Sequence, residues 1–286
     1  MSSMHKKAVI VISSHVARGS VGNRATVFAL ETLGFPVWAI PTVTLPWHPG
    51  HGPSTRITAA PKEFENFLND ITNAPWIEEI GAVLTGYMAN AEQVISVSKL
   101  ISKLKTENPK LTYLCDPVIG DKTGLYVKEE IAMAIRDKLI PISDIATPNC
   151  FELAWLTKSD APQTIEETIE LAKKLETREV LTTSSPSPKI AEETGNLYYS
   201  ATNKLLASHK QFKNPPNGPG DLTAAIYLGH LLAGLAPETN LAQTTASVFE
   251  ILQNATELGS SELNLESDAQ SIVNPEAKIA ITSLKS

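Results

Sequence analysis

The sequence predicts an α/β fold: a mostly parallel sheet covered by helices on both faces, with an antiparallel edge. Two observations carry this prediction. Short apolar runs rich in β-branched residues alternate with longer helical patterns, the rhythm of a parallel sheet built from strand–helix–strand units. Polar residues also cluster directly after those runs, where an open parallel sheet places its ligand.

The elements follow in order. Residues 8–13 (AVIVIS) read as a buried first strand, and 22–34 as a helix stopped at Gly34. Residues 37–43 (VWAIPTV) form the second strand. Residues 81–85 and 111–115 give two more strands, with a helix over 90–107 between them. The run 142–147 precedes a helix at 149–157, and a helix at 164–176 leads into a strand at 179–183. Strands near 188–208, including Leu197-Tyr198-Tyr199, supply the antiparallel edge. Two long apolar helices, 222–235 and 241–257, close the pattern. No repeat and no linker interrupts the chain, so residues 1–286 read as a single domain. The segment 44–60 is rich in Pro, Gly and His and has no period. It is either a surface loop or a flap over a site.

Bulk composition narrows the function classes. A net charge of -7 argues against nucleic-acid and membrane-surface partners, which call for basic patches. It leaves room for a nucleotide, because a few backbone N–H groups suffice to hold phosphate. No apolar run approaches the ~18 residues of a membrane span. The run at 8–12 is too short for a signal peptide, so a soluble, cytoplasmic protein is expected. Cys115 and Cys150 have neither metal-ligand nor disulfide-framework spacing and read as buried free thiols. The six histidines show no zinc-like spacing and no Ser/His/Asp arrangement. His209 and His230 read as surface or packed residues, and Trp38, Trp76 and Trp155 as packing.

Four segments can carry chemistry. In 214–225, Gly218-Pro219-Gly220-Asp221 opens a long apolar helix, whose free N–H groups and dipole suit a transferring phosphate. A carboxylate at Asp221 can accept a proton from an attacking hydroxyl; equally, it can serve as a helix N-cap beside a glycine turn. In 13–24, Gly19 and Gly22 miss the dinucleotide-binding spacing, which argues against a nicotinamide dehydrogenase, and Ser14 can present a hydroxyl above the strand end. In Cys115-Asp116-Pro117-Val118-Ile119-Gly120-Asp121, the proline turns the chain out of the strand. Asp116 and Asp121 can then organise Mg²⁺ through water, or form a solvated turn. In Thr147-Pro148-Asn149-Cys150-Phe151-Glu152, Asn149 and Glu152 fit a capping box or a metal–phosphate assembly.

Taken together these motifs resemble the pyridoxal kinases of the ribokinase-like superfamily. Gly218-Pro219-Gly220-Asp221 resembles that superfamily's G-x-G-D signature. Ser14-His15-Val16 with Gly19, Gly22 and Asn23 looks like the pyridoxal kinase N-terminal motif; Thr42-Val43 with His48, Gly86-Tyr87, and the segments at 115–121 and 147–152 are similar as well. The resemblance spans about residues 8–257 and implies a ribokinase-like three-layer α/β/α sandwich.

It further implies transfer of phosphate from ATP, with Mg²⁺ and as an open option a monovalent cation, to the 5′-hydroxymethyl group of pyridoxal. Pyridoxine and pyridoxamine are further candidate acceptors, and a homodimer is expected. By family pattern Ser14, Thr42, His48 and Tyr87 line the vitamin pocket, and Tyr126 covers the phosphates. Asp116, Thr147, Asn149 and Glu152 serve metal and phosphates, and Thr183 and Ser184 touch the nucleotide. Gly218 to Gly220 form an anion hole and Asp221 is the base. Two departures stand out. Pro219 removes an N–H from the anion hole, and Val180–Ser184 carries hydroxyls where some bacterial relatives carry a lysine. The rival readings are a hydroxymethylpyrimidine kinase of the same superfamily and a non-catalytic vitamin-binding protein.

Overall fold

A computed structural model describes residues 6–187 and 192–284. His5 and residues 188–191 of the expected edge lie outside the described residues.

The strands are β1 (Ala8–Val16), β2 (Val37–Leu45), β3 (Ile80–Thr85), β4 (Thr112–Cys115), β5 (Gly120–Asp121), β6 (Gly124–Leu125), β7 (Ile145–Ala146), β8 (Glu179–Pro186), β9 (Glu193–Ser200), β10 (Lys204–Lys210) and β11 (Ile281–Ser283). The α-helices are α1 (Asn23–Thr32), α2 (Pro61–Thr72), α3 (Ala91–Glu107), α4 (Glu129–Ala134), α5 (Cys150–Leu156), α6 (Ile165–Lys174), α7 (Pro219–Leu232), α8 (Pro237–Glu257) and α9 (Ala269–Val273). Nine strands make one sheet in the order β11-β10-β9-β8-β7-β4-β3-β1-β2, and β5 and β6 form a separate hairpin. Pairing is parallel from β2 through β8 and antiparallel from β8 through β11. The mostly parallel sheet with an antiparallel edge is therefore as expected.

The unbroken apolar run of β1 has a simple cause: both faces of the strand are covered. Ile10 and Ile12 point into a core shared with Phe64 and Leu68 of α2 and with Val94, Val97 and Ile101 of α3. Val9 and Val11 point the other way, against Ala25, Ala29 and Leu30 of α1 and Leu222, Ile226 and Leu228 of α7. Helix α7 is buried from Leu222 to His230, which is why its sequence shows no polar stripe.

Several expectations shift. The first strand runs on to Val16, so Ser14 and His15 lie inside it rather than after it, and the second runs on to Leu45. The run 142–147 contributes only Ile145–Ala146 to the sheet, because Ile140–Ile142 turns in a 3₁₀ helix. The last two long helices begin at Pro219 and Pro237, three and four residues earlier than expected; proline is well suited to a first helical turn. Helix α2 was not expected, although Phe64, Leu68 and Thr72 recur at helical spacing on its buried face. Trp76 is not a packing residue; it is 61 % exposed. In the 44–60 segment, Thr44 and Ile57 exchange backbone hydrogen bonds of 2.8 and 3.0 Å, folding the loop back on β2.

Buried polar groups tie α7 to α8. Asn240 Nδ2 donates to the Tyr227 carbonyl (3.0 Å), and Thr244 Oγ1 donates to Asn240 Oδ1 (2.9 Å). Replacing Asn240 by alanine removes both of these buried bonds and leaves Thr244 Oγ1 with His230 Nδ1 (3.3 Å) as its side-chain partner. Urea unfolding should show a loss of about 1–3 kcal/mol.

Candidate active site

A cavity of about 680 Å³ opens at the carboxyl ends of the parallel strands. A second cavity, of about 760 Å³, lies at the opposite ends around Lys6, Lys7, Gly81 and Leu111. Its size exceeds that of the first, yet its lining mixes lysines, Glu78 and Glu107 with apolar side chains and includes none of the motif residues.

The floor of the first cavity is the N-terminus of α7. Gly218 adopts a left-handed backbone (φ 104°) and Pro219 occupies the first helical position. The proline's missing N–H thus falls where a helix has no internal acceptor to offer anyway. Leu222 N–H is the first to be used, donating to the Gly218 carbonyl (3.0 Å). The N–H groups of Gly220 and Asp221 find no acceptor among the described residues. Asp221 is the third helical residue and makes no cap hydrogen bond, so the N-cap alternative is set aside. Burial pushes its carboxyl up to about 6, and the Gly22 N–H opposite pulls in the other direction. Both glycines are required by close approach. A Cβ at Gly218 would strike the Ser20 carbonyl, and one at Gly22 would strike the Ser14 carbonyl and hydroxyl.

Across the cavity, Asp116 and Glu152 form an acidic wall. Glu152 closes the capping box of α5: Asn149 N–H donates to its Oε2 (2.9 Å) and Asn149 Oδ1 accepts from Glu152 N–H (2.9 Å). The same carboxylate takes Ile119 N–H (2.8 Å) and Gly120 N–H (3.4 Å) on Oε1. Asn149 Nδ2 donates to the Gly120 carbonyl (2.9 Å). The capping reading and the site reading therefore coincide, because the box also fastens the loop after β4. Burial raises Glu152 to about 7 despite those N–H groups. Burial, reinforced by the charges of Glu152 and Asp221, holds Asp116 well above the usual carboxylate range.

Of the lining side chains, Arg56 is the one with a permanent positive charge, and its guanidinium donates to Tyr87 Oη (2.6 Å). Thr147 Oγ1 is buried with no hydrogen-bond partner among the described residues. Raised carboxylates and an orphaned hydroxyl without a balancing cation fit an oxygen-ligated Mg²⁺ completed by water and phosphate. Among the described residues no group of three or more His, Cys, Asp or Glu side chains could hold a metal on its own. Asp121, on the β5–β6 hairpin, lines the cavity at its exposed edge, with Oδ1 accepting from Thr123 N–H (2.8 Å) and Oγ1 (2.6 Å). Tyr126 is half exposed; burial of its phenol end and the nearby carboxylates raise its ionisation far above normal, so it stays neutral.

The remaining wall holds Ser14, Val16, Val21, Leu45, His48 and Tyr87, an apolar slot edged by polar atoms. His48 Nδ1 accepts from Gly50 N–H (3.1 Å), which leaves Nε2 as the ring's donor. Burial and the neighbouring His51 lower its pKa, so the ring is neutral at pH 7. Thr183 and Ser184 line the cavity's far side, where Thr183 N–H donates to the Pro148 carbonyl (3.0 Å). Val118 and Ser184, both lining residues, hold left-handed backbones (φ 46° and 54°), as do Lys158, Glu176 and Asn214 outside the cavity; for the β-branched Val118 this is a strained conformation.

Thr42 is the expected residue that the structure does not bring to the cavity. It is buried, and its hydroxyl is spent on the Tyr87 carbonyl (2.8 Å), so it braces the wall from behind. Arg56 and Asn217 line the cavity without having been expected. No motif marks Arg56, which in sequence is only the one basic residue of the 44–60 segment.

Residues 62–266 match the family model described as phosphomethylpyrimidine kinase. The chain is 31% identical over 287 residues to the pyridoxal kinase PdxY of Corynebacterium diphtheriae, covering 96% of this chain and 98% of that one. It is 33% identical over 279 residues to its counterpart in Leifsonia xyli, covering 96% and 98%. The chain belongs to the pyridoxal kinase family. Among solved structures, the pyridoxal kinase of Leishmania donovani in complex with ADP and pyridoxamine superposes with a TM-score of 0.89 at 26% identity, covering 98% of this chain and 100% of that one. The pyridoxal kinase of Entamoeba histolytica shares the fold with a TM-score of 0.90 at 23% identity, covering 98% and 100%. The resemblance and the ribokinase-like fold expected from the motifs are both upheld.

The raised Asp221 carboxyl has a stability consequence. Its value of about 6 in the fold exceeds the ordinary 3.8. Below pH 4 the group is neutral in both folded and unfolded chains and costs nothing. Between pH 4 and 6 only the folded chain holds the proton, and above pH 6 the folded chain carries a half-buried charge at a cost. Asp221→Asn should therefore raise stability at pH 8 by about 1–2 kcal/mol and leave it unchanged near pH 4, as read by thermal unfolding across pH.

Proposed function

We propose that this chain phosphorylates the 5′-hydroxymethyl group of pyridoxal with ATP, giving pyridoxal 5′-phosphate and ADP. The observation that carries the proposal is the pairing of a raised, ligand-facing carboxylate with unspent helix N–H groups on one floor, Asp221 beside Gly220. The relatives named as pyridoxal kinases, and a neighbour solved with ADP and pyridoxamine, support the choice of substrate and donor.

In this reading the pyridine ring enters the slot between Val16, Leu45 and Tyr87, with Ser14 and the Nε2–H of His48 as polar handles. The hydroxymethyl group reaches Asp221, whose carboxylate accepts its proton as the oxygen attacks the γ-phosphorus. The N–H groups of Gly220 and Asp221 and the positive end of α7 receive the charge that develops on the transferring group. Pro219 leaves this anion hole one backbone donor fewer, and the N–H groups of Gly220 and Asp221 are the ones that remain to serve it. Asp116, Glu152 and Thr147 would hold Mg²⁺, which when bound screens the phosphates from the acidic wall. Thr183, Ser184 and Asn149 would face the nucleotide, with Tyr126 over the phosphates. Thr42 acts through Tyr87.

The proposal extends to a single domain, supported by one continuous nine-stranded sheet, and to a homodimer working in the cytoplasm. No helix among the described residues is long and apolar enough to cross a membrane.

The phosphomethylpyrimidine kinase description of the matching family model gives a second substrate class a specific footing. A panel assay of ATP consumption separates the two. Pyridoxal should be turned over, and hydroxymethylpyrimidine should be a far poorer acceptor; the reverse order assigns the chain to the second class. Asp221→Ala should lower kcat with pyridoxal by about 10²–10⁴-fold, the range of a general base. Chelation of divalent ions should abolish turnover, and added Mg²⁺ should restore it.

A further inference from the structure

Outside the cavity, one buried carboxylate binds the site's loops together. Glu262 follows α8 in sequence, and its side chain is 10% exposed. Its Oε1 accepts from Arg18 Nη1 (3.1 Å) and from His51 Nε2 (2.8 Å), and its Oε2 from Ser20 N–H (3.4 Å). The neighbouring Leu263 carbonyl takes the Ser20 hydroxyl (2.8 Å). Gly19 lies so close that a Cβ there would press on the Glu262 carboxylate at 2.7 Å.

The partners are not scattered. Arg18, Gly19 and Ser20 belong to the loop that ends at Gly22, whose N–H faces Asp221 and whose Ser20 carbonyl abuts Gly218. His51 belongs to the turn that carries His48 and Gly50 into the cavity wall, its ring 6.5 Å from that of His48, edge-on. One carboxylate therefore fixes the spacing between the wall that receives the substrate ring and the floor that holds Asp221.

We propose that Glu262 is a positioning residue for the phosphoryl acceptor, acting through His51 on the His48 turn and through Ser20 on the Gly22 loop. The inference rests on the reading of the site as a pyridoxal kinase. Glu262 touches no lining group on the nucleotide side, so its removal should fall on one substrate only. Arg18 is 63% exposed and His51 28%, so water can take over both donors and the fold itself should survive the loss.

The test is steady-state kinetics of Glu262→Gln, Glu262→Asp and His51→Gln with pyridoxal and ATP varied separately. Glu262→Gln should raise the KM for pyridoxal about tenfold, with the KM for ATP changed less than about twofold. His51→Gln should do the same to a lesser degree, and the pair combined should be less than additive. Glu262→Asp should recover part of the loss. Equal rises in both KM values, an unchanged KM for pyridoxal, or full additivity would overturn the proposal.

Hydrogen–deuterium exchange keeps the inference apart from the substrate assignment. Segments 17–22 and 47–52 should exchange faster in Glu262→Gln while α7 does not; unchanged exchange in both segments refutes the clamp whatever the substrate. If Glu262→Gln does not accumulate folded, His51→Gln, at a partly exposed position, decides by the same two readouts. Failure of the wild type to use pyridoxal sinks the proposed function alone.

Discussion

A carboxylate placed at the start of a helix, in a pocket with little water, is the constraint around which this molecule is arranged. Asp221 enjoys the positive end of α7 but pays in lost hydration, and the balance leaves its carboxyl near 6. To sit there it needs backbone on both sides at a distance no side chain permits. Gly218 and Gly22 supply that closeness, one against Ser20 and the other against Ser14. The long apolar helix behind Asp221 then has to be buried on all sides, which the sheet, α1 and α8 accomplish.

The opposite wall has the complementary difficulty. Asp116 and Glu152 are buried among other carboxylates, and the lining has Arg56 as its one fixed positive charge, already engaged with Tyr87. Such a wall is stable only with protons or with a cation from solution. In the proposed reading, a nucleotide brought in with its divalent ion would satisfy both faces together, with the acids to hold the metal and the helix N-terminus to receive the phosphates. The strained backbone at Val118 sits on this same wall, consistent with binding geometry outweighing local conformational preference there.

Much of this was legible in the sequence, for identifiable reasons. The parallel strands were readable because burial on both faces makes them uniformly apolar, as in Ala8–Ile12. Their ends were not, because Ser14 and His15 continue β1 with polar side chains, of which Ser14 lines the cavity. Proline punctuation misled: it hid α2 behind a Pro-rich segment, and the expected start of α7 fell three residues after Pro219, its first helical residue. Thr42 shows the limit of motif reading: the residue type was recognised, but a strand's alternation turned its hydroxyl to the rear of Tyr87. Glu262 and Arg56 belong to no motif, and only the fold brings them to the loops they serve.

The central claim is that Asp221 takes the proton from the acceptor hydroxyl. The most direct measurement is the single-turnover rate of pyridoxal phosphorylation with saturating Mg²⁺-ATP from pH 5 to 8, for wild type and Asp221→Asn. The account predicts a wild-type rate that rises with pH and levels off above about 6. It also predicts a variant that is slower throughout and has lost that rise. A variant that keeps the wild-type rate, or keeps the same pH dependence, would contradict it.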